Sequence, residues 1–169
     1  HGFGSPTAVD IRGESKGALP QPDAKRRRSQ PWQPGETVIT GIGQGAILVT
    51  PLQLATAMAG IATRGLRPQP RLVQAVEDPT TKVRTPLEPS PQEPSGAYTQ
   101  EQFEIMVHNL TDVVHGEGGT ARSIGWNAPY KIAGKTGTAQ VKSVGQGESY
   151  IESRTAEHLR DHALFIAFA

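Results

Sequence analysis

The chain has 169 residues, which is enough for one domain with its own core and favours a single folded unit over two. Seventeen basic and sixteen acidic residues leave a net charge of +1, so the overall field does not support nucleic-acid or membrane-surface binding. The chain has no cysteine, which excludes disulfides and thiolate metal sites. No apolar run reaches the roughly 20 residues that span a bilayer, and the abrupt ends predict a piece of a longer protein.

The N-terminal part of the chain predicts loop and then a short strand. Residues 1–35 show no sustained hydrophobic period, and their basic run Lys25–Arg28 is interpreted as a solvated loop segment rather than a nucleic-acid patch. Residues 36–40 suit a strand. The glycine cluster 41–46 formally fits the dinucleotide pattern G-x-G-x-x-A, but no helix start or acidic partner follows it at the required place. We therefore predict that these glycines serve backbone geometry.

Two helices are signalled by capping boxes. One begins after Thr50 and is predicted to run to about Arg64, with an apolar stripe of Leu52, Ala55, Ala59 and Ala62. The other opens at Thr99 and ends at Gly116, with a buried face of Phe103, Met106, Leu110 and Val113 or Val114. Between them, residues 71–76 predict a strand. The proline-rich stretch 79–94 predicts an exposed loop in preference to a PxxP ligand.

The last third of the chain predicts two neighbouring antiparallel strands, residues 130–141 and 163–169. The first contains Lys135-Thr136-Gly137-Thr138. A cation and two hydroxyls suit a carboxylate, and glycine removes the Cβ that would block a peptide lying along the strand. A backbone N–H can stabilise an oxyanion, and the lysine can poise a neighbouring hydroxyl for proton transfer. On these residues alone, an exposed strand lysine beside a turn stays open as an alternative.

Further motifs occur in a fixed order along the chain, and with them the sequence resembles the class B penicillin-binding proteins, in particular their penicillin-binding protein 2 branch. The resemblance covers nearly the whole chain. The matching segments are His1–Gly4, Val9–Ile11, Gly13–Glu14, Leu19–Pro20, Pro31–Trp32, Gly35–Thr37, Gly41–Gly45, Thr50–Gln53, Gly119–Ala121, Pro129–Val141 and Leu159–His162.

The resemblance implies an α+β fold, with an antiparallel sheet and packed helices, of which residues 1–169 are the C-terminal portion of the transpeptidase domain. It implies a D,D-transpeptidase that cross-links peptidoglycan stem peptides during cell elongation through an acyl-serine intermediate. Lys135 and Thr138 are the expected catalytic residues, because the lysine would neighbour the serine of an S-x-N motif and the Thr138 N–H would form half of the oxyanion hole. Lys135, Thr136, Gly137 and Thr138 are the expected substrate-binding residues.

The sequence departs from the family in lacking the nucleophile. No serine is followed by lysine three positions later or by asparagine two positions later. The S-x-x-K and S-x-N motifs are therefore expected upstream of His1, and the chain alone is expected to be inactive. The zinc ligands of some relatives are expected upstream as well, so no metal and no cofactor is assigned.

The partners implied are the stem peptide ending in D-Ala-D-Ala, β-lactams and membrane proteins of the elongation complex, and no nucleic acid. The implied location is the periplasmic face of the bacterial inner membrane, with the anchor outside this chain. Two rival functions stay open: a serine β-lactamase or D,D-carboxypeptidase sharing the strand, and a non-catalytic module that binds peptide or protein along its edge.

The histidines are expected to be structural or solvated. Asp161, His162 and His158 lie close in sequence, but no third convergent ligand or serine motif supports a metal site or a charge relay. His108 and His115 fall on or near the second helix and are interpreted in the same way.

Overall fold

A computed structural model of the chain describes residues 2–88, 96, 98–141, 150–151, 153 and 155–169. It divides into two compact units, His1–Phe103 and Glu104–Ala169. None of the described helices has the length and apolar character required to cross a membrane. The predicted loop 79–94 lies partly outside the described residues, from residue 89 onward.

The helices are α1 (Pro22–Arg26), α2 (Pro34–Gly41), α3 (Pro51–Ala62), α4 (Gln100–His115) and α5 (Arg122–Gly125), with a 3-10 turn at Glu157–Leu159. The strands are β1 (Ala75–Glu77), β2 (Arg84–Pro86), β3 (Ala133–Ala139) and β4 (His162–Phe168). They form two antiparallel pairs, β1 with β2 and β3 with β4.

Helix α3 begins where the capping box predicted. The Thr50 N–H donates to Gln53 Oε1 at 3.0 Å and the Gln53 N–H donates to Thr50 Oγ1 at 3.1 Å. The predicted buried stripe is displaced around the helix, because Ala55 is exposed while Gln53, Met58 and Gly60 are buried. Gln53 is buried because its amide also donates to the carbonyls of Ser5 at 2.7 Å and Lys16 at 2.9 Å. This side chain thereby joins the N-terminal loop to the start of the helix.

The strand predicted at residues 36–40 is wrong, since these residues form most of helix α2. Proline at the first helical position presets the backbone, and Glu36 accepts the Gln33 N–H at 2.9 Å. These start signals outweigh the strand preference of Thr37–Thr40. Helix α1 was also missed; its Lys25 pairs with Glu36 and lies over the Trp32 ring.

The glycine cluster therefore follows a helix and not a strand. Gly43 and Gly45 adopt φ of +77° and +80°, a region that favours glycine. A Cβ on Gly45 would lie 2.8 Å from Ile39 Cγ2. These observations support the prediction of a backbone role for Gly43 and Gly45.

The strand predicted at residues 71–76 is wrong over most of its length, because β1 covers Ala75–Glu77. The Leu72 and Val73 N–H groups donate instead to the two carboxylate oxygens of Asp10, at 2.7 and 2.9 Å. These two bonds, the Leu72 one first, hold the pKa of Asp10 below its usual value. The Asp10 carboxylate thus takes the place of a neighbouring strand as the acceptor for these two N–H groups. We call this pair of hydrogen bonds the Asp10 clamp.

Helix α4 matches the prediction closely. The Thr99 N–H donates to Gln102 Oε1 at 2.8 Å, and the helix ends at His115. Phe103 and Val114 are buried, while Met106, Leu110 and Val113 are half-buried. Among the described residues of the unit Glu104–Ala169, Val114, Ala121 and Ala133 are buried and apolar.

Candidate functional site

Strand β3 carries the predicted site residues and is paired along its whole length with β4. The register sets Lys135 opposite Ile166, Thr136 opposite Phe165, Gly137 opposite Leu164 and Thr138 opposite Ala163. Exposure changes along the strand: Ala133 and Gly134 are buried, Thr136 is half-buried, and Lys135, Gly137 and Thr138 are exposed. The strand is thus packed at its start and open at Lys135–Thr138. The two predicted strands are confirmed as an antiparallel pair, with β3 shorter than residues 130–141.

Two glycines on this strand have different reasons for lacking a side chain. A Cβ on Gly134 would lie 2.7 Å from Phe165 Cζ and 2.9 Å from both Ala167 Cβ and Ile166 O. A Cβ on Gly137 would meet, among the described residues, Leu164 Cβ at 3.9 Å, an ordinary contact. Neither glycine has a positive φ. Glycine is therefore required by packing at position 134, whereas at 137 the chain itself has room for alanine.

The Lys135 ammonium lies beside Thr136. Its Nζ donates to the Thr136 carbonyl at 2.8 Å and approaches Thr136 Oγ1 at 3.4 Å. Within the described part of the chain, Lys135 forms no ion pair. Both of its present acceptors are uncharged oxygens, so an anion placed here would add a charge–charge attraction that these oxygens do not offer. A carboxylate is therefore a chemically suitable partner for this ammonium.

One further residue reaches the site. Thr120, in the turn after α4, places its Oγ1 3.1 Å from Thr136 Oγ1. Sequence reasoning recognised the Gly119–Ala121 motif and the turn but gave Thr120 no role. The three nearby glycines at 116, 118 and 119 marked a tight turn, yet nothing in the sequence indicated which side chain this turn presents to β3.

Side chains near the ends of β3 hold the flanking segments. His115 Nε2 accepts the Ile132 N–H at 3.0 Å, joining the end of α4 to the start of β3. Asp161 Oδ1 accepts the Val141 N–H at 3.3 Å, and the Asp161 N–H donates to the Tyr150 hydroxyl at 3.1 Å. These polar residues therefore have structural partners.

The other described histidines lie on different elements. His108 Nε2 lies 3.5 Å from Asp112 on the same helix, His158 is in the 3-10 turn, and His162 opens β4 opposite Ala139. Among the residues that the structure describes, no group of three or more His, Asp or Glu side chains is arranged to hold a metal ion.

Comparison with known proteins gives a match over the full chain. Residues 1–169 match the penicillin binding protein transpeptidase domain. The chain is 43% identical, over 99% of its length, to the peptidoglycan D,D-transpeptidase MrdA of Acinetobacter baumannii, and covers 24% of that protein. The chain spans about a quarter of the length of the curated relatives it matches.

Two solved structures are similar in fold. One is Pseudomonas aeruginosa PBP2 in complex with WCK 5153, with a TM-score of 0.73, 37% identity and coverage of 99% of this chain and 33% of that chain. The other is the complex between PBP2 and MreC of Helicobacter pylori, with a TM-score of 0.74, 30% identity and coverage of 99% and 27%. The expected α+β fold and the similarity to penicillin-binding protein 2 are confirmed.

Proposed function

This chain belongs to the penicillin-binding protein transpeptidase family, and on that premise we propose that it forms part of a peptidoglycan D,D-transpeptidase. The whole enzyme would cross-link stem peptides during cell elongation and be a target of β-lactams. The observation that carries the proposal is the open end of β3, where the Lys135 ammonium and the Thr136 hydroxyl lie beside an exposed Gly137. A cation, a hydroxyl and an unobstructed strand suit the carboxylate end of an extended peptide.

The reaction would proceed in two acyl transfers. A serine hydroxyl attacks the carbonyl carbon of the D-Ala-D-Ala bond, its proton passes to the leaving amine, and D-alanine departs. An amine of a second stem then attacks the acyl-serine, releases the serine oxygen and forms the cross-link. Because this chain contains neither S-x-x-K nor S-x-N, we place the nucleophile outside it and expect the chain alone to be inactive.

The residues of β3 would act on the substrate and not as the nucleophile. Lys135, Thr136 and Thr138 would hold the terminal carboxylate, and Lys135 would also keep a neighbouring serine poised for proton transfer. The Thr138 N–H would supply one donor to the oxyanion. Gly137 would let the peptide approach the strand, which agrees with the absence of a close internal neighbour to its missing Cβ among the described residues.

Location and partners follow from the same premise. We propose that the whole protein works at the periplasmic face of the inner membrane, where its substrate is assembled. The Helicobacter pylori PBP2 structure contains MreC, which supports a membrane-associated elongation partner for this protein. The family description refers to penicillin binding, which supports β-lactams as ligands of the site.

The test is covalent labelling of the full-length protein with a fluorescent penicillin. We expect a stable adduct on the full-length protein and none on the isolated 169-residue chain, as measured by intact mass. Lys135→Ala should slow acylation by more than about two hundredfold, because it removes both the carboxylate contact and the proton-transfer role. The loss of one charge-assisted hydrogen bond, worth about 1.5–3 kcal/mol, would slow it by no more than about two hundredfold. Lys131→Ala, an exposed lysine just before β3, is the matched control and should acylate normally.

Each contrary result has a distinct meaning. Rapid deacylation would favour a β-lactamase or carboxypeptidase, and no adduct on the full-length protein would favour a non-catalytic binding module. An adduct on the isolated chain would show that the nucleophile lies within residues 1–169. An unchanged rate for Lys135→Ala would remove the lysine from the proposed site.

A further inference from the structure

Backbone hydrogen bonds define the turn that follows α4. The Gly116 N–H donates to the Asp112 carbonyl at 2.9 Å, the Gly119 N–H to Gly116 O at 3.0 Å, and the Ala121 N–H to Val113 O at 3.0 Å. A Cβ on Gly119 would lie 2.4 Å from Val113 O, so no side chain fits there. Ala121 is buried, with 2% of its surface exposed. Thr120 stands between two residues whose positions are fixed by the end of the helix.

The side chain of this fixed residue points to β3. Thr120 Oγ1 and Thr136 Oγ1 are 3.1 Å apart, and Lys135 Nζ is 3.4 Å from the same Thr136 oxygen. A hydroxyl has one proton and two lone pairs, whereas an ammonium donates only. If Thr120 donates to Thr136, both lone pairs of Thr136 Oγ1 are engaged by Thr120 and Lys135. The Thr136 proton is then left to be donated to a further acceptor.

We propose that Thr120 is a positioning residue that fixes the Thr136 side chain and directs its hydroxyl proton toward a bound carboxylate. The inference rests on the proposed function, because it assumes that β3 binds the terminal carboxylate of a stem peptide or β-lactam. Thr120 itself does not touch the ligand. It acts through Thr136, and the hydrogen-bonded turn of residues 116–121 places it beside β3.

The experiment measures the second-order rate of acylation by a fluorescent penicillin in the full-length protein. Thr120→Val keeps the shape and removes the hydroxyl, and it should slow acylation about fivefold, as expected for one neutral hydrogen bond. Thr120→Ser retains the hydroxyl and should restore most of the rate. Thr111→Val is the matched control; its hydroxyl bonds to Val107 O within α4, and its loss should leave the rate unchanged.

A second measurement separates positioning from packing. If Thr120 acts through Thr136, the double variant Thr120→Val/Thr136→Val should acylate at the same rate as Thr136→Val alone. Thermal unfolding of each variant is recorded beside the rate. A stable Thr120→Val protein with the wild-type rate would overturn the inference, and so would a Thr120→Ser variant as slow as the valine variant. A wild-type protein that forms no adduct at all would instead overturn the proposed function.

Discussion

At the residue scale, the two glycines of β3 differ in their surroundings: Gly134 is closely packed, whereas Gly137 has space beside it among the described residues. Gly134 faces the Phe165 ring and the Ile166 carbonyl, so its missing Cβ is required by the pairing of β3 with β4. Gly137, three residues later on the same strand, has room for a methyl group among its described neighbours. Packing among the described residues therefore does not require glycine at 137.

This difference predicts opposite effects for the same substitution. Gly137→Ala should leave the melting temperature of the full-length protein unchanged and slow penicillin acylation, because the added Cβ obstructs a ligand along the strand. Gly134→Ala should lower the melting temperature, because the added Cβ would lie 2.9 Å from both the Ile166 carbonyl oxygen and Ala167 Cβ. Thermal unfolding and acylation are measured on both variants. If Gly137→Ala acylates normally, the strand edge is not where the ligand lies.

At the element scale, the two capping boxes share the same local pattern but differ in their surroundings. Gln53 at the start of α3 is 2% exposed, and its amide nitrogen donates to two carbonyls from a distant loop. Gln102 at the start of α4 is exposed and accepts the Thr99 N–H at 2.8 Å. The capping box of α3 therefore also joins the helix to a distant loop, whereas the capping box of α4 only starts its helix.

Replacing each glutamine by glutamate separates the two roles. Gln102→Glu keeps an acceptor for Thr99 and places negative charge at a helix N-terminus, so its effect should stay within about 0.5 kcal/mol. Gln53→Glu buries a carboxylate against the carbonyls of Ser5 and Lys16 and should cost about 3 kcal/mol or more. Urea unfolding of the full-length variants measures both free energies. Equal effects would mean that the buried amide does not stabilise this junction.

At the scale of the whole molecule, carboxylates that accept backbone N–H groups hold loops that have no regular structure. Asp10 accepts the backbone N–H groups of two residues more than sixty positions away. Glu14 accepts the Thr7 hydroxyl and N–H, and these bonds, the hydroxyl first, hold the pKa of Glu14 below its usual value. In the unit His1–Phe103, these carboxylates accept hydrogen bonds from loop residues that have no neighbouring strand to bond with.

The lowered pKa of Asp10 determines how its contribution to stability changes with pH. The ionised carboxylate is favoured in the folded state, so its stabilisation is full above the unfolded value of about 3.9 and is lost as pH falls through the lower folded pKa. Asp10→Asn should therefore speed hydrogen exchange at Leu72 and Val73 at pH 7, with the difference from wild type shrinking below about pH 4. Asp23→Asn, whose exposed carboxylate lies 3.6 Å from Arg26, is the control. Exchange that is equally fast in wild type and Asp10→Asn at pH 7 would contradict the clamp.

The sequence alone determined the features that are encoded in short segments. Both capping boxes fixed the starts of α3 and α4, because the residues that form each box lie within one helical turn. The apolar run 163–169 predicted the partner of β3, and the order of motifs led to the family. Lys135, Thr136, Gly137 and Thr138 were chosen from sequence as well, and the structure places them together at the open end of β3.

Only the tertiary structure decided the features that depend on distant partners. Residues 36–40 are an exception, because the start signals that make them helical, Pro34 and the Gln33–Glu36 hydrogen bond, are local to the segment. Leu72 and Val73 lose their predicted ladder to Asp10, and Gln53 is buried by carbonyls from residues 5 and 16. Thr120 reaches Thr136 through the shape of a turn 16 residues away. Local propensity ranks conformations within a segment, whereas these outcomes follow from hydrogen-bond partners that the fold brings together.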